Sequence, residues 1–565
     1  MFILTITSSF AEVISLGAVV PFIGILTQPE RVHAYLSDSG LSRFITLPSP
    51  SNLVLPLTVG FALAAILAGA LRLLLSWFAI RLANGVGTDL SIEVYRRTLY
   101  QPYSVHVSRS TSEIISGITQ KVAAASGLLL SLVNVITSTM LFLAILGTLL
   151  IIDPIVASVA IVSFGASYTL IAWKTRARLM RNGRHISKQQ TGVIKALQEG
   201  LGSIRDILID GTQNVYCSIY KDATVQLQRS SGENNFINQA PRFVMEALGM
   251  VLIALFAYVL SFKEGGIAQA LPVLGSLALG AQRLLPLLQI LYGNWTVLLG
   301  SKASLEVVLE LLHQPMPASF NSNLKPLQFN NFIKFDNIRF KYNANSPWVL
   351  DNINLTIKKG SRIGFVGSTG SGKSTTLDLV MALLVPTEGQ IRIDDQVLTP
   401  ENLRSWQQNI AHVPQNIFLT DGTIAENIAF GVPLEQIDLK RVKLAAENAR
   451  LASFIDTRTE GYNLMVGERG VRLSGGQRQR IGIARALYKQ ASVLIFDEAT
   501  SALDSQTESE VMSAIEQLNK DLTVLIIAHR VTTLQNCDSI VQLEHGKLIV
   551  QNSYNEFIKG HVGIT

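Results

Sequence analysis

Six stretches of this chain, at roughly 2–27, 52–82, 122–150, 154–174, 243–262 and 268–300, are apolar for about the ~20 residues that a helix needs to cross hydrocarbon. All six lie in the first three hundred residues, and only 16% of the whole chain is charged, against a soluble average of roughly a quarter. The N-terminal part is therefore expected to be a bundle of six membrane helices. An even number of crossings returns the chain to its starting side. Four basic residues (Arg96, Arg97, Arg109 and Lys121) lie between the second and third stretches, and eleven Lys or Arg run from Lys174 to Arg242. The opposite connections hold only Arg31, Arg43 and Lys263. This asymmetry places the two long connections in the cytoplasm, as cationic loops require. It also explains the net charge of +6 without nucleic acid, because the cations gather between hydrophobic segments and not on one soluble face. Ile151-Ile152-Asp153-Pro154 reads as a tight external reversal.

The first stretch is membrane-like from Phe2 and is interrupted by Glu12, with no basic region or cleavage site of a removed signal peptide. The expectation is a shortened N-terminus or a misassigned start. The two cysteines, Cys217 and Cys537, have neither disulfide-framework nor zinc-ligand spacing, which suits a reducing compartment. Charged groups inside the apolar stretches are costly and face a partner or a wet cavity. Arg72, Arg242 and Arg283 are candidates for such a cavity, where guanidinium forks match phosphate oxygens. Competing with that reading are internal pairs: Arg242 with Glu246, and Arg72 or Arg283 with Glu12.

From about Asn331 the composition turns to short β-branched runs, turns and charge. Ser361 to Val366 reads as a strand, and Gly367-Ser368-Thr369-Gly370-Ser371-Gly372-Lys373-Ser374-Thr375 as a phosphate-binding loop entering a helix. Its backbone N–H groups suit a β-phosphate, Lys373 suits the β and γ phosphates, and the Ser374 hydroxyl suits Mg²⁺. Val493-Leu494-Ile495-Phe496 reads as a buried parallel strand that delivers Asp497 as a metal-holding carboxylate and Glu498 as a base for the attacking water.

With these motifs the half from 331 to 565 resembles an ABC-type ATPase domain, and the chain resembles an ABC exporter half-transporter. The resemblance implies a fold in which a six-helix α-helical transmembrane domain (1–305) is joined by a linker (306–330) to an α/β P-loop ATPase domain (331–565). It further implies that Tyr342 stacks on adenine and that Gln415, in Val413-Pro414-Gln415, contacts Mg²⁺. Gly467-Glu468-Arg469-Gly470 is similar to the interface loop of exporters. Leu473-Ser474-Gly475-Gly476-Gln477 is similar to the family signature that grips ATP held by a second subunit. Asp504 resembles the residue coupling the two sites, and His529 the switch histidine at the γ-phosphate. ATP with Mg²⁺, a homodimer with two competent sites, and short docking helices within Tyr100–Arg109 and about Arg205–Tyr220 follow from the same resemblance.

Short patches of the membrane half also resemble bacterial lipid-linked oligosaccharide flippases of the PglK type. They are Ser9-Phe10-Ala11-Glu12, Val20-Pro21-Phe22-Ile23, Leu71-Arg72, Pro241-Arg242 with Glu246, and Arg283-Leu284-Leu285-Pro286. The implied activity is alternating-access flipping or export of a lipid-linked oligosaccharide or polysaccharide precursor across a bacterial plasma membrane, with the ATPase domain in the cytoplasm. A general lipid or drug exporter is the alternative within this class. From another class, an ATP-gated channel or regulatory sensor competes, disfavoured by the complete hydrolytic set.

Overall fold

The computed structural model describes residues 2–17, 54–152, 154–261, 266–316, 325–498, 505–518, 521–528 and 534–561. It divides into two compact units, one of Met1–Gln101 with Arg109–Met316, the other of Pro102–Ser108 with Pro317–Thr565. The first unit is helical. It contains α1 (Phe2–Gly17), α2 (Val54–Leu99) and α4 (Thr111–Ser116), which continues through a π-helical turn at Gly117–Lys121 into α5 (Val122–Ile152). It then runs through α6 (Pro154–Gly202), α7 (Ile204–Asp210), α8 (Gln213–Ser261) and α9 (Gly266–Leu312). The short α3 (Tyr103–Ser108) belongs to the second unit.

The helices outrun the apolar stretches. α2 has 46 residues, and α6 and α8 have 49 each. At ~1.5 Å per residue each is about 70 Å long, twice the ~30 Å of bilayer hydrocarbon. Hydropathy ends where charge begins, whereas the i→i−4 hydrogen-bond ladder continues into water. Large side chains such as Leu63, Ile66, Leu73 and Trp77 stand exposed along α2, as a lipid-facing surface requires. α5 continues through Ile152 and α6 opens with Pro154, a residue suited to the first helical position. Of the reversal expected at 151–154, Asp153 lies outside the described residues, as do Arg31, Arg43 and Lys263.

Small buried clusters hold the bundle together: Leu141 and Ile145 with Leu284 and Leu287, and Phe164 and Tyr168 with Met245 and Tyr292. Where α6 passes α9, a side chain on Gly183 would run into the carbonyl of Gly300. The two backbones touch there as only small residues permit.

The second unit is α/β. A four-stranded antiparallel sheet has the order β2-β1-β4-β5, from Phe332–Phe340 (β1), Leu350–Lys358 (β2), Glu388–Ile393 (β4) and Gln396–Val397 (β5). A six-stranded sheet has the order β10-β9-β3-β8-β7-β6. Its strands are Arg362–Val366 (β3), Ile410–Val413 (β6), Val493–Asp497 (β7), Thr523–Ile527 (β8), Ser539–Glu544 (β9) and Lys547–Asn552 (β10). All its pairings are parallel except the β9–β10 edge. β7 and β8 are buried almost throughout, which is why they read as unbroken apolar runs. Ile527 pairs with both Phe365 and Asp497, so the carboxyl ends of β3, β8 and β7 finish level with one another. In an open parallel sheet that edge is where ligands bind.

Replacing Gly183 with Leu should force α6 from α9 and cost about 1–3 kcal/mol, the range for overpacking. A lower melting temperature in detergent, with Gly183→Ala intermediate, is the expected result.

Candidate functional site

The glycine loop follows β3 and feeds α10 (Lys373–Val380). Its shape depends on backbone that side chains cannot share: Gly367, Gly370 and Gly372 have φ of 149°, 82° and 100°. A side chain at Gly367 would run into the Leu543 carbonyl and come within 2.7 Å of Ser371 Oγ. That Oγ is buried without a hydrogen-bond partner, and Lys373, only 8% exposed, donates to the carbonyls of Gly367 (2.8 Å) and Ser368 (2.9 Å). The loop is therefore a cradle whose cation and unpaired hydroxyl are held around a concavity at a helix N-terminus, the place where a phosphate is stabilised. Ser368, Thr369, Gly370 and Ser374 are exposed, and Thr375 Oγ1 meets the hydroxyl of Tyr342 at 3.2 Å. Tyr342 is 48% exposed and packs edge-on against Phe340, so one face of its ring is open for stacking.

The strand ends bring carboxylates to the same edge. Glu498 sits at φ 51°, and its N–H donates to the Ile527 carbonyl. This left-handed turn directs it away from the line of β7. Gln415 donates from Nε2 to Glu498 Oε2 at 2.6 Å, so these two residues, 83 positions apart, form one unit. Asp497 is held above the usual carboxylate range by burial and by the charge of Glu498, while Lys373 works in the opposite direction. The cation of the loop and the strand-end carboxylate therefore share one electrostatic field.

Ser474 caps α11 (Gly475–Lys489) reciprocally: its Oγ accepts from the Gln477 N–H, and Gln477 Oε1 accepts from the Ser474 N–H. Gly475 and Gly476 then form the positive end of a 15-residue helix, suited to an anion from outside. Gly467, Arg469 and Gly470 all have positive φ, giving the preceding loop a tight fold. Asp504 and His529 lie outside the described residues.

Two residues escaped the sequence reading. Asp378, one turn beyond Ser374 on α10, is pushed up to about 6 by burial and by the nearby charge of Asp497. Tyr103 of α3 is raised by burial and then by Asp378 and Tyr342, which puts this part of the Tyr100–Arg109 segment beside the loop helix. Burial was the missing signal in both cases. The other expected docking segment contains α7 and the start of α8, and Ile204, Leu208 and Ile209 of α7 are exposed.

In the helical unit, a cleft of about 360 Å³ is lined by Glu12, Arg72, Ser76, Asn134, Ser138 and Asn294, among others. Arg72 Nη1 lies 3.5 Å from Glu12 Oε1; Glu12 is 14% exposed and Arg72 58%. Arg242 instead pairs with Glu246 on its own helix at 2.8 Å and is not part of the cleft lining. The side chain of Arg283 lies outside the described residues. Of the three arginines, the structure gives both Arg72 and Arg242 the internal pairs that competed with the cavity role, and it brings only the Arg72–Glu12 pair to a cleft among the described residues.

Because the folded value of Asp378 is about 6 against an ordinary 3.8, the folded unit holds a proton between about pH 4 and 6 that the unfolded chain releases. Stability falls as pH rises through that window, by about 1–2 kcal/mol once solvent screening is allowed for. Asp378→Asn should raise the melting temperature at pH 7 and flatten its slope between pH 4 and 6, measured by thermal melts across that range.

Comparison with known proteins agrees with this geometry. The ABC transporter family model matches residues 350–501, and the ABC transporter transmembrane region matches residues 2–267. The ATP-dependent lipid A-core flippase of Chromohalobacter salexigens is 30% identical over 513 residues, covering 86% of this chain and 87% of the relative. That of Cupriavidus metallidurans is 29% identical over 506 residues, covering 87% and 83%. The alpha-hemolysin translocation ATP-binding protein HlyB of Escherichia coli is 42% identical over 249 residues, covering 44% of this chain and 35% of the relative. A solved bacterial Atm1-family ABC exporter with ATP bound has the same fold, with a TM-score of 0.75 at 24% identity and 96% coverage of both chains. A glycine-loop cradle beside strand-end carboxylates, carried with a helical unit on one chain, accords with these matches: this is an ATP-hydrolysing membrane transporter with the exporter fold, and the chain belongs to the ABC transporter family.

Proposed function

We propose that this protein is a homodimeric, ATP-driven flippase or exporter of a lipid-linked oligosaccharide or polysaccharide precursor in a bacterial inner membrane. The observation that carries the reading is the polar cleft in the helical unit. Hydroxyl and amide groups of Ser8, Ser76, Asn134, Thr137, Ser138 and Asn294 surround the Arg72–Glu12 pair between helices that are otherwise apolar. Polar groups inside a membrane bundle are costly unless they serve a wet pathway or a substrate head group. The Arg72 guanidinium, more than half exposed and balanced by a largely buried Glu12, can take an anionic oxygen without leaving an uncompensated charge behind.

In the ATPase unit, the loop amides and Lys373 bind the phosphates, Tyr342 receives the base, and Glu498, steered by Gln415, accepts the proton of the attacking water. Ser374, Gln415 and Asp497 offer a hydroxyl, an amide and one carboxylate; among the described residues no three His, Cys, Asp or Glu gather into a preformed cage. Such hard oxygen donors fit Mg²⁺ shared with substrate phosphates, and the ion would supply neutralisation of phosphate charge. In a homodimer, the α11 N-terminus with Ser474, Gly475 and Gly476 would face ATP bound to the other subunit, and Asp504 and His529 are proposed to complete the site. Closure around ATP would favour one orientation of the cleft and hydrolysis the other, a shift driven by differential affinity.

The full-length relatives named for lipid A-core favour a second amphipathic lipid as cargo. The two readings separate in proteoliposomes offered either a polyprenyl-pyrophosphate glycan or lipid A-core, with phosphate-free lipid as control. Glu498→Gln should lower hydrolysis by roughly 10²–10⁴-fold and abolish movement; equal turnover in the variant would remove Glu498 as the base. Arg72→Ala should abolish movement of the pyrophosphate lipid while basal ATP hydrolysis survives. Undiminished movement would sink the anion role of Arg72.

A further inference from the structure

The chain passes between the two units at Gln101/Pro102, Ser108/Arg109 and Met316/Pro317. On the helical side, all three crossings are tied to the C-terminal end of α9. Arg97, in the last turn of α2, donates from Nη1 to the carbonyls of Leu312 and, at 3.3 Å, Gln314. Its Nε is held by Glu93 at 2.7 Å. Gln101 donates from Nε2 to the Pro315 carbonyl at 3.1 Å and to the Arg97 carbonyl at 2.9 Å. Beyond α3, Arg109 Nη2 reaches Glu310 Oε1.

The last carbonyls of a helix lack intrahelical partners and carry partial negative charge, so a cation from another helix both satisfies and anchors them. Arg97 does this across more than two hundred residues of sequence. Beneath the ties, Val94, Val122, Ala125, Val308 and Leu311 are buried together, joining α2, α5 and α9. Gly117, in the π-helical turn, leaves the room that Leu311 occupies: a side chain there would lie 2.7 Å from Leu311 Cδ1. π-helical turns are rare, and they mark places where a helix is adjusted to a task.

We propose that Arg97, Gln101 and Arg109 with Glu310 form a clasp that binds the α3 segment and the chain leaving α9 into one lever. They are positioning residues that carry nucleotide-driven displacement into α2, α5 and α9. Residues 313–316 after α9 and 100–102 before α3 are non-helical, and separately each would yield under load. Cross-tied, neither can shift without the other, so a movement of the ATPase unit reaches three long helices at once. The inference rests on the alternating-access reading above.

The test uses the full chain in proteoliposomes, with Cys217→Ser and Cys537→Ala, and a reporter at Ser76→Cys in the cleft lining. The rate of alkylation by a water-soluble maleimide is compared without nucleotide and after trapping with MgATP and vanadate. With the clasp intact, the rate should change by at least about fivefold, the lower end of ordinary coupling factors. Arg97→Met and Arg109→Glu should each bring the change below about twofold while basal ATP hydrolysis is retained, and Arg109→Glu with Glu310→Arg should restore it. An undiminished response in the single variants overturns the clasp. So does a lost response that the charge exchange fails to restore, which would mark a merely structural contact. No response with the clasp intact overturns the alternating-access reading and the clasp with it.

Discussion

Backbone in hydrocarbon must satisfy its own hydrogen bonds, and most of this architecture follows from that requirement. A helix formed to cross the bilayer has no reason to stop at the interface when its polar continuation also forms helix. α2, α6 and α8 therefore extend to about twice the membrane thickness on i→i−4 bonds, α8 carrying Pro241 within its length. Long helices are stiff elements, and where they approach closely, as at Gly183 and Gly300, their contacts are backbone against backbone. A displacement applied at one end is thereby felt at the other.

The ATPase unit solves a different problem with a different device. Chemistry on a phosphate requires a cation, a base and a metal-compatible carboxylate close together, and the residues proposed for these roles, Lys373, Glu498 and Asp497, come from segments more than a hundred residues apart. Parallel pairing of β3 with β8 and of β8 with β7 brings the ends of those strands level. The left-handed residue at Glu498 then places its carboxylate against Gln415. Strain at a single residue is tolerated because the buried strand before it has no freedom to relax.

The two units meet different electrostatic demands. In the membrane cleft Arg72 is tolerable because Glu12 neutralises it locally, and the same pairing limits how strongly it can hold an anion. Around the glycine loop the balance is reversed: Asp497 is raised by burial and by Glu498, Asp378 by burial and by Asp497, and Lys373 offsets part of the cost at Asp497. On the proposed reading, a trivalent or tetravalent phosphate chain would enter a site whose acids are already crowded, and its charge would be matched by cradle amides, lysine and a metal ion.

Much of the outline was legible in the linear order of residues. The apolar stretches marked where helices cross hydrocarbon, because solvation free energy depends on local composition. The glycine loop and the apolar run before Asp497 were legible because cradling a phosphate and burying a strand each demand a short, contiguous pattern. The helices' true lengths were not legible, since hydropathy reports the solvent and hydrogen bonding decides where a helix ends. For Arg242 and Arg72 the internal pairs were legible as alternatives and not as outcomes: Arg242 finds Glu246 one turn away, whereas whether Arg72 meets Glu12 depends on how α1 and α2 pack. Asp378, Tyr103 and the clasp of Arg97 and Arg109 on the end of α9 carry no local signature at all. Local pattern thus determined which segments are apolar enough to enter a membrane and which loop takes the shape of a phosphate cradle. Burial and contacts between residues distant in sequence, which exist only once the chain has packed, decided which side chains share a field, a cleft or a load.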